Sequence, residues 1–114
     1  MMQPEMSTDN NGTRRWYLNG VLHREDGPAI IWLFGYEEWR QDGRLHREDG
    51  PAVSSPCGPE MWVRRGQNHR EDGPAITHDD TTEEWWLNGK AVTEDEVWAL
   101  KFKKQIDEAV NNAA

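Results

Sequence analysis

Apolar residues in this chain come in short bursts divided by charged and turn-forming residues, and the longest burst is only Ala29 to Phe34. Trp16-Tyr17-Leu18 and Val21-Leu22 flank Asn19-Gly20. Asn-Gly supplies the two positive φ angles of a type I′ turn, so this stretch predicts a tight hairpin. Asp42-Gly43 and Asn88-Gly89 repeat the signal, and Arg65-Gly66 is a weak copy. Asp26-Gly27-Pro28 ends the second strand, because proline cannot donate to a ladder and restricts the residue before it. A short strand from Ala29 to Leu33 is expected next, and Gly35 or Gly58 then turns the chain into another Trp-bearing strand. The pattern changes after Val92. Trp98, Phe102, Ile106 and Ala109/Val110 recur at helical spacing. Thr93 with Glu96 reads as a capping box, and Glu94, Asp95 and Glu96 suit the positive end of a helix dipole. A helix from about Glu94 to Val110 is therefore expected.

These bursts are periodic. His-Arg-Glu-Asp-Gly-Pro-Ala begins at His23, His46 and His69, a spacing of 23 residues both times. Trp16, Trp39 and Trp62 each precede it by seven residues, and Trp85 falls on the same count. Gly20, Gly43, Gly66 and Gly89 keep the period, as do Glu37, Glu60 and Glu83. A unit of two short strands and two turns is too small to fold alone, and stacked units would share one narrow core. The expected organisation is a flexible N-terminal segment over 1–13, repeats over 14–92, and a capping helix with its tail over 93–114.

A 23-residue unit with a hairpin, an aromatic on its first strand and a glycine at its turn resembles the MORN repeat. The Trp-x-x-Asn-Gly and His-Arg-Glu-Asp-Gly-Pro-Ala version, followed by a helix, is similar to MORN-like variants in small proteins of bacteriophages and large DNA viruses. The resemblance implies an all-β, elongated, twisted antiparallel sheet of stacked hairpins with a C-terminal capping α-helix. It also implies a binding role and a phage source.

Composition sharpens this picture. Only 35% of the 114 residues are hydrophobic and the net charge is −8, which leans towards disorder, but seven tryptophans argue for packing. A thin stack needs only a narrow aromatic spine, so the two observations agree. An excess of acids disfavours duplex nucleic acid and anionic membranes as partners. The N-terminus lacks the apolar core of a signal peptide, and no apolar run approaches membrane-spanning length. Cys57 is the sole cysteine, so no intrachain disulfide forms and a reducing cytoplasm is the expected compartment, that of the host if the chain is phage-encoded.

The candidate chemistry lies in the recurring motif. A two-residue hairpin sets Trp16 beside His23, Trp39 beside His46 and Trp62 beside His69. Carried two residues further, it sets Arg14 beside Glu25, Glu37 beside Glu48 and Glu60 beside Glu71. The last two are like-charge pairs, so either the strands splay or a cation intervenes. In the structural reading, each Arg bridges to acids of the next unit and each His bonds a neighbouring turn. In the ligand reading, Trp16, Trp39 and Trp62 offer stacking faces, Arg24, Arg47 and Arg70 offer planar forks, and His23, His46 and His69 donate, parts that suit a small nucleotide. A metal site at Glu37, His46 and Glu48 is a third reading, although its spacing fits no established motif. Catalysis is disfavoured, because an active site breaks symmetry whereas these residues recur. No cofactor is expected. Trp32, Phe34 and Tyr36 form a turn too apolar for an ordinary loop and are candidate anchors for a protein partner. Function is thus expected to be non-enzymatic binding: a counter-defence inhibitor that engages a host protein or sequesters a nucleotide signal. The alternatives are a structural protein forming homo-oligomers through open sheet edges, and a metal-binding or hydrolytic protein using the His and Glu positions.

Overall fold

A computed structural model describes residues 2–112. The strands are short. The first four are β1 (Glu5–Thr8), β2 (Arg14–Leu18), β3 (Val21–Leu22) and β4 (Ile30–Ile31). The next four are β5 (Glu37–Glu38), β6 (Arg40–Gln41), β7 (Arg44–Leu45) and β8 (Val53–Ser54). They are followed by β9 (Glu60–Met61), β10 (Val63–Arg64), β11 (Gln67–Asn68) and β12 (Ile76–Thr77), and then by β13 (Glu83–Leu87) and β14 (Lys90–Val92). Helix α1 (Glu94–Asn111) ends the described chain. An open antiparallel sheet runs β1-β2-β4-β5-β8-β9-β12-β13-β14 with β3 beside β2, while β6–β7 and β10–β11 are separate two-stranded ribbons. The molecule measures 55 × 40 × 20 Å, and its radius of gyration of 16.8 Å exceeds the ~13 Å of a compact domain this size.

Ala29, Ala52 and Ala75 explain how the sheet is stitched. Each is fully buried. Their carbonyls accept the N–H groups of Trp16, Trp39 and Trp62, and their own N–H groups donate to Glu38, Met61 and Glu84 of the following unit. The position is thus closed in by two strands, which leaves room for a methyl group and little more. Ile30, Val53 and Ile76 are buried beside them, and Val63 and Val97 complete the narrow core.

The turns form as their sequences dictate. Asn19, Asp42 and Asn88 have φ near 50°, each followed by a glycine with positive φ. Arg65 takes the same conformation at φ 52 without a favourable side chain. Successive turns are tied by backbone: the N–H groups of Gly43, Gly66 and Gly89 donate to Leu22, Leu45 and Asn68.

One expectation is corrected and two left open are decided. Residues 5–8 are not a flexible segment: β1 pairs with β2 from Glu5↔Tyr17 to Thr8↔Arg14. An open sheet edge accepts any extended backbone, so a polar segment serves. Asp9 closes this hairpin by accepting from Arg15 and from the N–H groups of Asn11 and Thr13, bonds that hold its carboxyl below the usual range. The like-charge pairs do not form, because the strands splay: Glu37 lies opposite Ile31 and Ser54, and Glu60 opposite Thr77. Finally, α1 starts at the expected cap, with Thr93 Oγ1 accepting from the Glu96 N–H at 3.1 Å, but its apolar stripe points outward. Val97 is the buried residue of α1, whereas Trp98, Phe102, Ile106 and Val110 are exposed.

Candidate functional site

Each letter of the recurring motif has a definable task. His23 Nδ1 accepts the backbone N–H of Asp42 at 3.0 Å, His46 Nδ1 that of Arg65 at 2.9 Å, and His69 Nδ1 that of Asn88 at 2.8 Å. All three bonds span 19 residues, so each imidazole holds the hairpin turn of the next unit. A ring nitrogen that accepts carries no proton, which puts the hydrogen on Nε2. The bond at Arg65 also explains how a turn with a weak sequence signal is held.

The arginines turn back onto their own tryptophans, rather than forward to the next unit. Arg24, Arg47 and Arg70 place their guanidinium carbons 4.0, 3.9 and 4.0 Å from the ring centroids of Trp16, Trp39 and Trp62. Each Nε donates to the aspartate two residues on, Asp26, Asp49 or Asp72, at 2.9–3.1 Å. Each Nη1 donates to the proline carbonyl four residues on, at 3.2 Å. The glycine between them leaves the guanidinium its place: a Cβ on Gly27, Gly50 or Gly73 would stand 2.6–2.7 Å from the guanidinium carbon, so the arginine would have to move aside. Among these motif residues the glutamate is the least engaged. Glu25 and Glu48 are exposed, and Glu71 faces His69 Nε2 at 3.2 Å and pairs with Lys104 of α1.

The nine residues proposed for a nucleotide therefore form three Trp–Arg–His sets, in each of which the arginine is stacked on the tryptophan and bonded to its own turn while the histidine is bonded to the next turn. Two sets meet at one place. Arg47, Trp62, His69 and Arg70 line an open groove of about 440 Å³, together with Arg64 and Lys104, which the sequence reading did not single out. Glu48, Glu71 and Asp72 line it too, so its charge is mixed. Burial lowers the pKa of His69 below its ordinary 6.5, and the cations of Arg64 and Lys104 lower it further. Among the described residues no three His, Cys, Asp or Glu side chains gather closely enough to hold a metal ion, so Glu37, His46 and Glu48 do not form the third reading's site.

The aromatic turn is a different kind of surface. The Trp32 N–H donates to the Tyr36 carbonyl and the Gly35 N–H to the Trp32 carbonyl, both at 2.9 Å, which closes the turn. Trp32 contacts Phe34 edge-on at 5.6 Å and Tyr36 at 4.9 Å. Tyr36 is anchored inward: its hydroxyl donates to Glu38 at 2.6 Å, and Glu38 also accepts from Arg40. Burial and the bond to Glu38 push the Tyr36 pKa up to about 12. Neighbouring turns brace the knuckle, since Gly12 lies against Leu33 and Gly35 against Pro56. Phe34 at 69% and Leu33 at 78% exposure nevertheless face solvent. Leu33 belongs to this surface, although only its aromatic neighbours were expected there.

No protein-family model, curated protein or solved structure matches this chain. What it does has to be argued from the geometry.

No helix among the described residues is long and apolar enough to cross a membrane.

Proposed function

We propose that this chain is a non-enzymatic binding protein: a stack of MORN-like repeats that presents a braced aromatic knuckle at Trp32, Leu33 and Phe34 to a protein partner. One observation carries the reading. The side chains that could recognise a small ligand are already engaged, the arginines by their tryptophans, an aspartate and a carbonyl and the histidines by the next turn, whereas the knuckle is braced, apolar and exposed. Fixed aromatic side chains are what dominate binding energy at protein interfaces. With the phage source that the sequence resemblance suggests, the role we infer for such a surface is counter-defence in a host cytoplasm. Nucleotide sequestration is the weaker reading, because each guanidinium fork would have to leave an aspartate and a carbonyl before it could hold a phosphate.

The test compares wild type with Trp32→Ala/Phe34→Ala as bait in extracts of the native host. The expected result is one host protein retained by wild type and lost with the variant, while both chains melt alike. Thermal shifts with cyclic and ADP-ribose-type nucleotides complete the experiment, since a ligand of the folded state raises the melting temperature. A nucleotide that stabilises the chain, with no protein lost on altering the knuckle, would overturn the proposal.

A further inference from the structure

Three Asn-Gly pairs occur in the chain: Asn11-Gly12, Asn19-Gly20 and Asn88-Gly89. Such a pair carries chemistry of its own. The glycine nitrogen can attack the carbonyl carbon of the asparagine side chain, and glycine lacks the Cβ that would obstruct the approach. A held turn keeps the two atoms apart, so the rate follows how often each turn opens.

The fold holds the three pairs unequally. At the last, the Gly89 N–H donates to the Asn68 carbonyl at 3.0 Å and the Asn88 N–H to His69 Nδ1 at 2.8 Å. The Asn88 side-chain oxygen accepts from Arg64 at 3.2 Å, and Gln67 lies against Gly89. At the first pair, the Gly12 N–H donates to the Asp9 carbonyl at 3.1 Å and the Asn11 N–H to the Asp9 carboxylate at 2.8 Å, with Leu33 packed over the glycine. Asn19-Gly20 forms the same turn as Asn88-Gly89, with φ of 51° and 81°. Among the described residues, however, no unit is stacked on it. Neither the Gly20 N–H nor the Asn19 side chain has a hydrogen-bond partner there, and a Cβ on Gly20 would meet nothing within 4 Å.

From this contrast we infer that Asn19 is a site of spontaneous covalent modification, closing to a succinimide with Gly20 well ahead of Asn11 and Asn88. The Gly20 nitrogen gives its proton to solvent and bonds to Asn19 Cγ. The bond from Cγ to the amide nitrogen breaks, and that nitrogen leaves with a proton as ammonia. Water then opens the ring. Attack at Cγ leaves an aspartyl residue, and attack at the main-chain carbonyl leaves an isoaspartyl residue, whose chain runs on through Cγ. Nothing is oxidised or reduced, and water is the co-reactant. Either product adds a negative charge to an exposed turn. The isoaspartyl form also lengthens a two-residue turn, on which the Leu18↔Val21 register depends. The inference is independent of the Trp32 knuckle.

Incubation of the full folded chain at mildly alkaline pH, followed by mass spectrometry of its proteolytic peptides, tests it. Conversion at Asn19 should outpace conversion at Asn11 and Asn88 by more than about tenfold, the worth of one or two hydrogen bonds in an opening equilibrium. In denaturant the three pairs should convert at similar rates, because the bonds that separate them are gone. Amide exchange gives an independent reading: the Gly20 N–H should exchange well ahead of those of Gly12 and Gly89. Conversion at Asn11 or Asn88 that keeps pace with Asn19 in the folded chain overturns the proposal. So does a folded chain that keeps all three asparagines intact over the time in which the unfolded chain converts fully.

Discussion

Three of the four tryptophans on the 23-residue count are covered by an arginine, and the fourth is covered by another tryptophan. Over Trp16, Trp39 and Trp62 lie Arg24, Arg47 and Arg70, each held by an aspartate and a carbonyl from the same turn. At Trp85 the motif is replaced by Val92-Thr93-Glu94-Asp95, and Trp98 of α1 takes the arginine's place. The histidine is lost at the same point, so no imidazole reaches forward to hold a further turn. An arginine plug with a histidine latch lets the next unit follow. A tryptophan plug carried on a helix closes the series.

This contrast can be broken at several points, and the largest effect is expected at an arginine plug. Arg47→Ala removes a charge-assisted bond to Asp49, a bond to Pro51 and a stacked cation, and should lower stability by about 2–3 kcal/mol in thermal or denaturant unfolding. Arg47→Lys should recover only part of this, because an ammonium has no planar fork. Gly50→Ala comes next, at about 1–2 kcal/mol. The new methyl group would displace a flexible guanidinium rather than backbone, so the cost is the contacts that Arg47 gives up. The two changes should therefore be strongly non-additive, and Gly50→Ala should cost little in an Arg47→Ala background. Full additivity would mean that the glycine serves the backbone instead. At the other kind of plug, Trp98→Ala should cost about 1 kcal/mol and loosen the start of α1, visible as faster amide exchange around Val97.

The smallest effect is one of pH. The folded chain holds the His69 pKa below its ordinary 6.5, so the unfolded state binds the proton more readily. The stability from this group is complete above the unfolded value and is lost as pH falls from 6.5 through the folded one. Protonation also puts a hydrogen on Nδ1, which faces the Asn88 N–H. Melting temperature should accordingly fall between neutral and mildly acid pH. His69→Gln should reduce the slope, and an unchanged slope would place the proton elsewhere.

Much of this was legible in the sequence. Asn-Gly and Asp-Gly gave the turns, proline the strand ends, and Thr93 the start of the helix. What was not legible has physical reasons. A side chain as long as arginine can reach forward or back, and spacing does not choose between Asp of its own turn and acids of the next. The pair Glu37 and Glu48 was extrapolated from a ladder that stops at the histidine, where Arg47 donates its N–H to Val63 instead of continuing the hairpin. The EMST segment has no apolar alternation, so only the sheet edge beside it makes it a strand. The spacing of the stripe on α1 marked a helix but left its direction open, because periodicity reports that a face is apolar, not what covers it. Leu33 was passed over for the same reason.

The claim on which the rest stands is that the arginine, tryptophan and histidine sets hold the fold and are not a ligand site. Thermal unfolding of Arg24→Ala/Arg47→Ala/Arg70→Ala, with and without nucleotides, tests it most directly. The melting temperature should fall by more than about 10 °C, equally in every nucleotide tested. A triple variant that melts like the wild type, but no longer responds to a nucleotide that stabilises the wild type, would contradict it.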